Sequence, residues 1–198
     1  ERSEFKLHIG NQVHDINLPL AGEHNVNNAL AAAACAHALN IEVSDIVIGL
    51  ENARPAKGRL NSQILGMHRL IDDTYNANPH SVRAAAKVLA AQTGTQVMVL
   101  GDIGELGEAA ISEHQSLGRT IATTGINVLL CVGEYAPYTV AGAQEVSDIS
   151  AHAFADKDSL LQYLQPYLQA QQAKPCTVLF KGSRSMGMET LIHALVEE

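Results

Sequence analysis

The sequence is 198 residues long and 46% apolar, which is enough for one or two small globular domains with real cores. Its 21 acidic residues outnumber its 13 Lys and Arg residues. The resulting formal charge of −8 argues against broad nucleic-acid binding, since such surfaces are usually basic. Three distant cysteines, Cys35, Cys131 and Cys176, form neither a disulfide framework nor a zinc motif and are typical of a reducing cytosol. No apolar run approaches the roughly 20 residues that cross a bilayer, so we expect a cytoplasmic protein.

The first part of the chain predicts a hairpin followed by two helices. The segment "FKLHIGNQVHDINLPL" alternates apolar and polar residues around Gly10-Asn11, which predicts a β-hairpin. An alanine-rich stretch from about Glu23 to Leu39 predicts a helix, and "SDIVIGLENA" predicts a shorter one with Ser44 as its N-cap. The chain runs straight into a strand pattern without an initiator Met, so we expect it to be the later part of a longer protein.

The segment "RPAKGRL" breaks this pattern with Pro55 and Gly58 and predicts a hinge between two domains. After it, strands alternate with helices. Strands are predicted at 62–66, 68–74, "QVMVLG", "NVLLCVG" and "CTVLFKG", with a further short strand at 152–155. Helices are predicted at about 79–92, 109–124, 134–142, 156–172 and 185–197. Continuous apolar strands are buried on both faces. The predicted fold class is therefore α/β, a Rossmann-like, mostly parallel sheet with helices on both faces, whose first two strands pair with each other.

Polar residues collect at the carboxyl ends of these strands, where open parallel sheets bind their ligands. Lys181 and Arg184 precede the last helix, and a helix start with two cations favours a carboxylate or phosphate. Asp102 and Glu105 lie in "GDIGELGE", whose spacing is not the GxGxxG dinucleotide fingerprint. Facing acidic and basic loops predict a ligand with both charges, such as an amino acid or a small peptide. The alternative is a capped helix with solvated cations and a glycine-rich turn with exposed acids.

A second candidate site lies in "GEHNVNNALAAA", which places His24, Asn25 and Asn28 in the first turns of a helix. An amide both donates to and accepts from a purine edge, so this face is suited to adenine. The alternatives are N-capping by the asparagines and a structural role for His24. Arg59, beside the hinge, could reach a nucleotide or simply be exposed. The histidines form no metal-binding pattern such as HExxH, so no histidine metal site is predicted.

Five motifs occur in a fixed order: "GEHNVNNALAA", "KGRL", "IDDTYNANPHS", "VMVLGDIGELGE" and "VLFKGSRSMGME". In this order they resemble the Mur ligases of peptidoglycan synthesis, and in their detail the branch that adds D-Ala-D-Ala to UDP-N-acetylmuramoyl-tripeptide. The resemblance implies an amide ligase that uses ATP and Mg²⁺. ATP converts the tripeptide carboxylate to an acyl phosphate, and the amine of D-Ala-D-Ala attacks it after the C-terminal domain closes over the ATP domain.

The resemblance also implies a domain assignment. Residues 1–57 would be the C-terminal portion of the central, α/β ATP-binding domain, and residues 58–198 the C-terminal Rossmann-like domain. The family's phosphate-binding loop, its metal-ligand glutamate and its carbamylated lysine have no counterpart in this sequence. We therefore expect the chain to hold no metal site and to be inactive by itself, and the full-length protein to be monomeric.

Roles for individual residues follow from the same motifs and are expectations at this point. His24 would be the catalytic histidine beside the nucleotide and metal region. ATP would be bound by residues from both domains: Asn25, Asn28, Arg59, Asp73, Tyr75, Asn76 and Asn78. Asp73, next to Asp72, would contact the ribose. The D-Ala-D-Ala pocket would be bordered by residues of two strand-end loops: Asp102, Glu105, Lys181, Ser183 and Arg184.

Two other functions are compatible with the residues. One is a glutamate ligase like the folylpolyglutamate synthetases, which share the architecture. The other is a free-standing α/β module that binds a small zwitterion. The identity of the acceptor amine, glutamate or D-Ala-D-Ala, separates the two ligase hypotheses.

Overall fold

The computed structural model describes residues 2–20, 22–54, 57–171 and 174–197, and for residue 24 the backbone alone. The predicted hinge residue Pro55 lies outside the described residues. The chain divides into two compact units, Glu1–Ala56 and Lys57–Glu198. Their assignment to the two ligase domains stays a prediction. Within the described helices, none has the length and apolar character that a membrane span requires.

The first unit contains a hairpin and two helices. Strands β1 (Ser3–Ile9) and β2 (Gln12–Leu18) pair antiparallel, which confirms the predicted hairpin. Gly10 takes a left-handed φ of 58° in the turn, a conformation that glycine adopts without steric cost. Helices α1 (Glu23–Ala38) and α2 (Val43–Glu51) follow. Apolar residues of all four elements form the core: Leu7, Ile16, Leu18, Ala29, Ala33, Ile46 and Leu50.

The start of α2 differs from the prediction. The backbone carbonyl of Glu42 accepts hydrogen bonds from the N–H groups of Asp45 and Ile46, at 3.0 and 3.1 Å. Glu42 is therefore the N-cap, and Ser44 lies inside the first turn. The Ser44 prediction was wrong because the chain leaves its extended conformation two residues earlier, with no side chain capping the helix.

The second unit is built on one six-stranded sheet. Its strands are β3 (Asn61–Leu65), β4 (His68–Asp73), β5 (Thr95–Gly101), β6 (Val128–Val132), β7 (Ser150–Phe154) and β8 (Cys176–Lys181). The spatial order is β3-β4-β8-β5-β6-β7, and only β3 runs antiparallel to its neighbour. The predicted α/β class is confirmed, as are the pairing of the first two strands and the short strand near 152–155.

Helices cover both faces of this sheet: α3 (Pro79–Ala90), α4 (Ala110–Ala122), α5 (Ala136–Gln144), α6 (Lys157–Ala170) and α7 (Glu189–Val196). Side chains alternate between the two faces along each strand. Ile71 and Leu179 pack with α3, α4 and α5, whereas Leu70 and Phe180 pack with α6 and α7. Both faces are buried, which is why the strands read as continuous apolar runs.

The last helix begins at Glu189, four residues later than predicted. A 3-10 turn occupies Arg184–Met186, held by the N–H of Met186 on the carbonyl of Ser183 at 2.9 Å. Gly187 then takes a left-handed φ of 53°, which interrupts the helical path. As a result, Arg184 lies in the 3-10 turn that connects β8 to α7.

Candidate functional site

Four loops follow neighbouring strands at the carboxyl edge of the sheet. They come after β4, β8, β5 and β6, which are consecutive in the sheet order. The polar motifs predicted for ligand binding are therefore brought together along one edge, as expected for an open α/β sheet. The contacts inside this edge show which side chains hold the loops and which are left exposed.

Asp73 and Lys181 form a buried ion pair at the end of the central strands. They are register partners on the parallel strands β4 and β8, and Nζ of Lys181 lies 2.6 Å from Oδ2 of Asp73. The same ammonium donates to the backbone carbonyl of Asn76 at 3.1 Å. Burial raises the pKa of Asp73 above its ordinary value, and the Lys181 ammonium and the N–H of Leu60 act in the opposite direction. Two residues that the motifs assign to different substrates thus contact each other.

Arg59 and Tyr75 form an exposed pair beside the ion pair. The guanidinium of Arg59 lies over the Tyr75 ring, 4.8 Å from its centroid, in a cation–π contact. The N–H of Tyr75 donates to the carbonyl of Gly58 at 3.0 Å. A Cβ on Gly58 would lie 2.7 Å from the nitrogen of Tyr75, so the close approach of these two segments requires glycine. Both Arg59 and Tyr75 can therefore face a ligand.

Asn76 and Asn78 hold the loop that follows β4. Oδ1 of Asn78 accepts the N–H of Ser81 at 2.8 Å, and Oγ of Ser81 accepts the N–H of Asn78 at 3.1 Å. This capping box starts α3, with Pro79 in the first helical position. Oδ1 of Asn76 accepts the N–H of Ala77 at 2.9 Å and that of Arg184 at 3.3 Å. Both amides thus have structural partners besides their predicted contact with nucleotide.

Asp102 joins the loops after β5 and β6. Its carboxylate accepts the N–H groups of Glu134 and Tyr135, at 2.7 and 3.1 Å. Burial raises the pKa of Asp102, and the two N–H donors, that of Tyr135 first, oppose the rise. A Cβ on Gly133 would overlap the Asp102 carboxylate, so this contact also depends on glycine. Asp102 supports the loops, and its role toward an acceptor stays a prediction.

The loops after β5 and β8 are joined through Ser183. Oγ of Ser183 accepts the N–H of Gly104 at 2.5 Å, and the N–H of Ser183 donates to the carbonyl of Asp102 at 3.0 Å. Glu105 is exposed and takes a left-handed φ of 62°, which is uncommon for a residue with a side chain. The Arg184 side chain is 64% exposed and pairs with Glu189 at 3.0 Å. Of the five predicted acceptor residues, Glu105 and Arg184 present exposed charges of opposite sign.

Two supporting residues were missed from the sequence. His114 in α4 is buried; its Nε2 accepts the N–H of Ile103 at 3.1 Å, so its Nδ1 carries the proton that is donated to the carbonyl of Ala110 at 2.7 Å. Nζ of Lys157 donates to the carbonyls of Met186 and Gly187, at 3.0 and 3.2 Å. The signal for His114 was its spacing of four residues from Ala110, which lies on the same helix face. Lys157 had no local signal.

The first unit holds the remaining predicted residues. The side chain of His24 lies outside the described part of the structure. Asn28 is exposed on α1, and Asn25 is partly buried on the same helix. The N-cap is Gly22, without a side-chain cap, so the alternative of N-capping by these asparagines is wrong. In the described residues, no group of three His, Cys, Asp or Glu side chains could hold a metal ion.

The fold and this edge define an α/β domain whose polar and charged side chains collect at the carboxyl ends of its parallel strands. Residues 58–184 match the family model described as "Mur ligase, glutamate ligase domain". The chain belongs to the Mur ligase family. It is similar to the UDP-N-acetylmuramoyl-tripeptide--D-alanyl-D-alanine ligase of Escherichia coli, with 39% identity over 98% of this chain and 42% of that relative.

Solved structures agree with this family assignment. The crystal structure of MurF from Acinetobacter baumannii matches all of this chain and 43% of its own, with 46% identity and a TM-score of 0.91. The folylpolyglutamate synthase of Thermotoga maritima matches with 17% identity and a TM-score of 0.58, which shows a shared fold alone. The chain thus spans less than half the length of the relatives it matches.

Proposed function

We propose that the chain is the C-terminal part of an ATP-dependent amide ligase that adds D-Ala-D-Ala to UDP-N-acetylmuramoyl-tripeptide in cytoplasmic peptidoglycan synthesis. One observation carries the proposal: relatives of this name share 36–39% identity with 93–99% of the chain. The glutamate-ligase alternative is supported by the description of the family model and by a fold shared at 17% identity. The full-length enzyme is proposed to be a monomer.

The proposed reaction has two steps. A carboxylate oxygen of the tripeptide attacks the γ-phosphorus of ATP and releases ADP, which leaves an acyl phosphate. The ammonium group of D-Ala-D-Ala loses a proton to become the free amine, which then attacks the acyl carbon, loses a second proton and expels phosphate as the amide bond forms. Positioning of the reactants and charge stabilisation supply most of the acceleration in such reactions. Mg²⁺ is proposed to bind together with ATP. Among the described residues, no cluster of His, Cys, Asp or Glu side chains could hold it, so none of these residues is assigned to Mg²⁺.

The acceptor dipeptide is a zwitterion, and the exposed charges at the strand ends suit it. We assign its carboxylate to the Arg184 guanidinium, which binds carboxylates with two parallel hydrogen bonds. We assign its ammonium group to Glu105, on the loop that Ser183 holds through Gly104. Asp102 would border the pocket through its loop contacts.

Contacts with the nucleotide are proposed for each unit by itself. Arg59 and Tyr75 present a cation and an aromatic face beside the strand end, with Asn76 and Asn78 in the following loop. Asn25 and Asn28 on α1 are assigned to adenine, and His24 keeps its proposed catalytic role. The assignments of His24 and Asn25 rest on the motifs alone, and the others also rest on the exposure of their side chains.

The full-length enzyme tests the function directly. Phosphate release is measured with ATP, Mg²⁺ and UDP-N-acetylmuramoyl-tripeptide, with and without D-Ala-D-Ala, and with glutamate as the competing acceptor. We expect release that requires D-Ala-D-Ala and that glutamate does not support. The 198-residue chain by itself is expected to release no phosphate. Release that glutamate supports and D-Ala-D-Ala does not would overturn the proposal in favour of a folate-type ligase.

The adenine assignment has its own test. Asn28→Ala is expected to raise the KM for ATP about fivefold, because the side chain would lose one neutral hydrogen bond, worth about 1 kcal/mol. Asn27→Ala is the matched control, since Asn27 is the neighbouring asparagine on a different face of α1. An equal KM for ATP in both variants would remove Asn28 from the nucleotide site.

A further inference from the structure

We infer that Lys157 is a positioning residue for the acceptor substrate: it fixes the turn that carries Arg184, and it acts through Arg184 without contacting the acceptor itself. The inference rests on the proposed function, because Arg184 is the residue assigned to the acceptor carboxylate. It extends that function to the start of α6, the helix that follows strand β7 at one end of the sheet.

The first argument is the set of hydrogen bonds that the Lys157 ammonium makes. Nζ donates to the backbone carbonyls of Met186 and Gly187, at 3.0 and 3.2 Å, and to Oγ1 of Thr190 at 2.9 Å. An ammonium group has three protons to donate, so these three bonds use its full capacity. All three partners lie in one segment, 186–190, which leads from the 3-10 turn into α7.

The second argument is the backbone of this segment. Gly187 has a left-handed φ of 53° and follows the 3-10 turn that begins at Arg184. Glycine adopts left-handed and right-handed conformations about equally, so Gly187 by itself does not fix the direction of the chain. Lys157 binds the carbonyl of the peptide group on each side of the Gly187 Cα. The ammonium therefore holds the conformation that the glycine leaves open.

The third argument is the position of Lys157 in its own helix. Lys157 is the first residue of α6, and the N-cap is Asp156, whose Oδ1 accepts the N–H of Ser159 at 2.7 Å. A cation at the first position of a helix is unfavourable, because the helix N-terminus carries a partial positive charge. The stability of α6 therefore does not account for this lysine, whereas its contacts with the segment 186–190 do.

These contacts reach the acceptor side through Arg184. The N–H of Gly187 donates to the carbonyl of Arg184 at 3.3 Å, and the Arg184 guanidinium pairs with Oε1 of Glu189 at 3.0 Å. The segment 186–190 thus contacts both the backbone and the side chain of Arg184. Without the ammonium, the acceptor would have to order this turn when it binds, and its affinity would fall.

Lys157→Met in the full-length enzyme tests the inference, with Lys87→Met as the control because Lys87 is an exposed lysine of α3. We expect Lys157→Met to raise the KM for D-Ala-D-Ala by about tenfold and to leave the KM for ATP unchanged. Thr190→Val, which leaves the ammonium its two carbonyl partners, should give a smaller rise. An equal KM for D-Ala-D-Ala in Lys157→Met and Lys87→Met would overturn the inference.

The double variant Lys157→Met/Arg184→Ala separates positioning from direct binding. If Lys157 acts through Arg184, its loss should change the KM for D-Ala-D-Ala little once Arg184 is alanine. If the effects of the two single variants multiply instead, Lys157 contributes to acceptor binding by itself, and the positioning role is wrong.

A second readout does not depend on activity. Hydrogen–deuterium exchange at the backbone amides of Met186 and Gly187, which bond to the carbonyls of Ser183 and Arg184, should be faster in Lys157→Met than in Lys87→Met. Equal exchange rates would contradict the positioning role. If the wild-type enzyme releases no phosphate with D-Ala-D-Ala, the proposed function fails, and the exchange comparison still decides whether Lys157 holds the turn.

Discussion

Arg184→Ala in the full-length enzyme is expected to raise the KM for D-Ala-D-Ala by about 10- to 150-fold and to leave the KM for ATP nearly unchanged. Hydrogen bonds to a charged group contribute about 1.5–3 kcal/mol, which corresponds to this range. Arg184 is the exposed cation of the acceptor-side loop, and its backbone is held separately by Asn76. The alanine variant should therefore lose the guanidinium without moving the loop.

The matched control is Arg119→Ala. Arg119 also pairs with a glutamate, Glu145, at 2.6 Å, and its side chain is 44% exposed. Exposed ion pairs contribute little to stability, about 0–1 kcal/mol, so both variants should fold. Steady-state kinetics with each substrate varied in turn provide the measurement. Equal increases in both KM values for Arg184→Ala would remove Arg184 from the acceptor site.

The second prediction concerns the stability of the second unit, where α4 packs closely against α5. Gly118→Ala should lower the stability of this unit by about 3 kcal/mol, the upper end of the usual cost of overpacking. A Cβ at Gly118 in α4 would overlap the backbone carbonyl oxygen of Thr139 in α5, and one at Gly142 would overlap that of Gln115. Backbone atoms cannot turn away as a side-chain end can. The two helices would have to separate.

Calorimetry of the chain is the measurement, with Gly49→Ala as the control. Gly49 lies in α2, and no atom lies within 4 Å of the position that a Cβ would occupy there, so alanine should stabilise its unit by about 0.5–1 kcal/mol. For Gly118→Ala we expect the melting temperature of the second unit to fall by about 10 °C. A melting temperature equal to that of the wild type would contradict the close backbone contact between α4 and α5.

The sequence predicted features that depend on neighbours along the chain. The turn at Gly10-Asn11, the buried strands and the helix start at Pro79 follow from residue preferences and from periods of two or 3.6 residues. The start of α7 was placed too early, because the left-handed Gly187 and its preceding 3-10 turn do not change the apolar pattern that marks a helix.

The candidate site divides in the same way. Ordered motifs placed the predicted residues of the second unit at strand ends, apart from Arg59 beside the hinge, and the family followed from those motifs. The sequence did not show which of these side chains form hydrogen bonds within the fold and which remain exposed. Asp102 bonds to the loop after β6, and His114 to the backbone of Ile103, through contacts that require particular loops to meet.

By itself, then, the sequence determined the class of fold, the family and the edge of the sheet where the candidate site lies, because each of these follows from local patterns and their order. Only the tertiary structure decided that Asp73 and Lys181 are partners. They are 108 residues apart, and they meet because β8 lies beside β4 in the sheet. Strand order results from the packing of the whole domain, so no local pattern encodes which charges are paired and which remain exposed to a ligand.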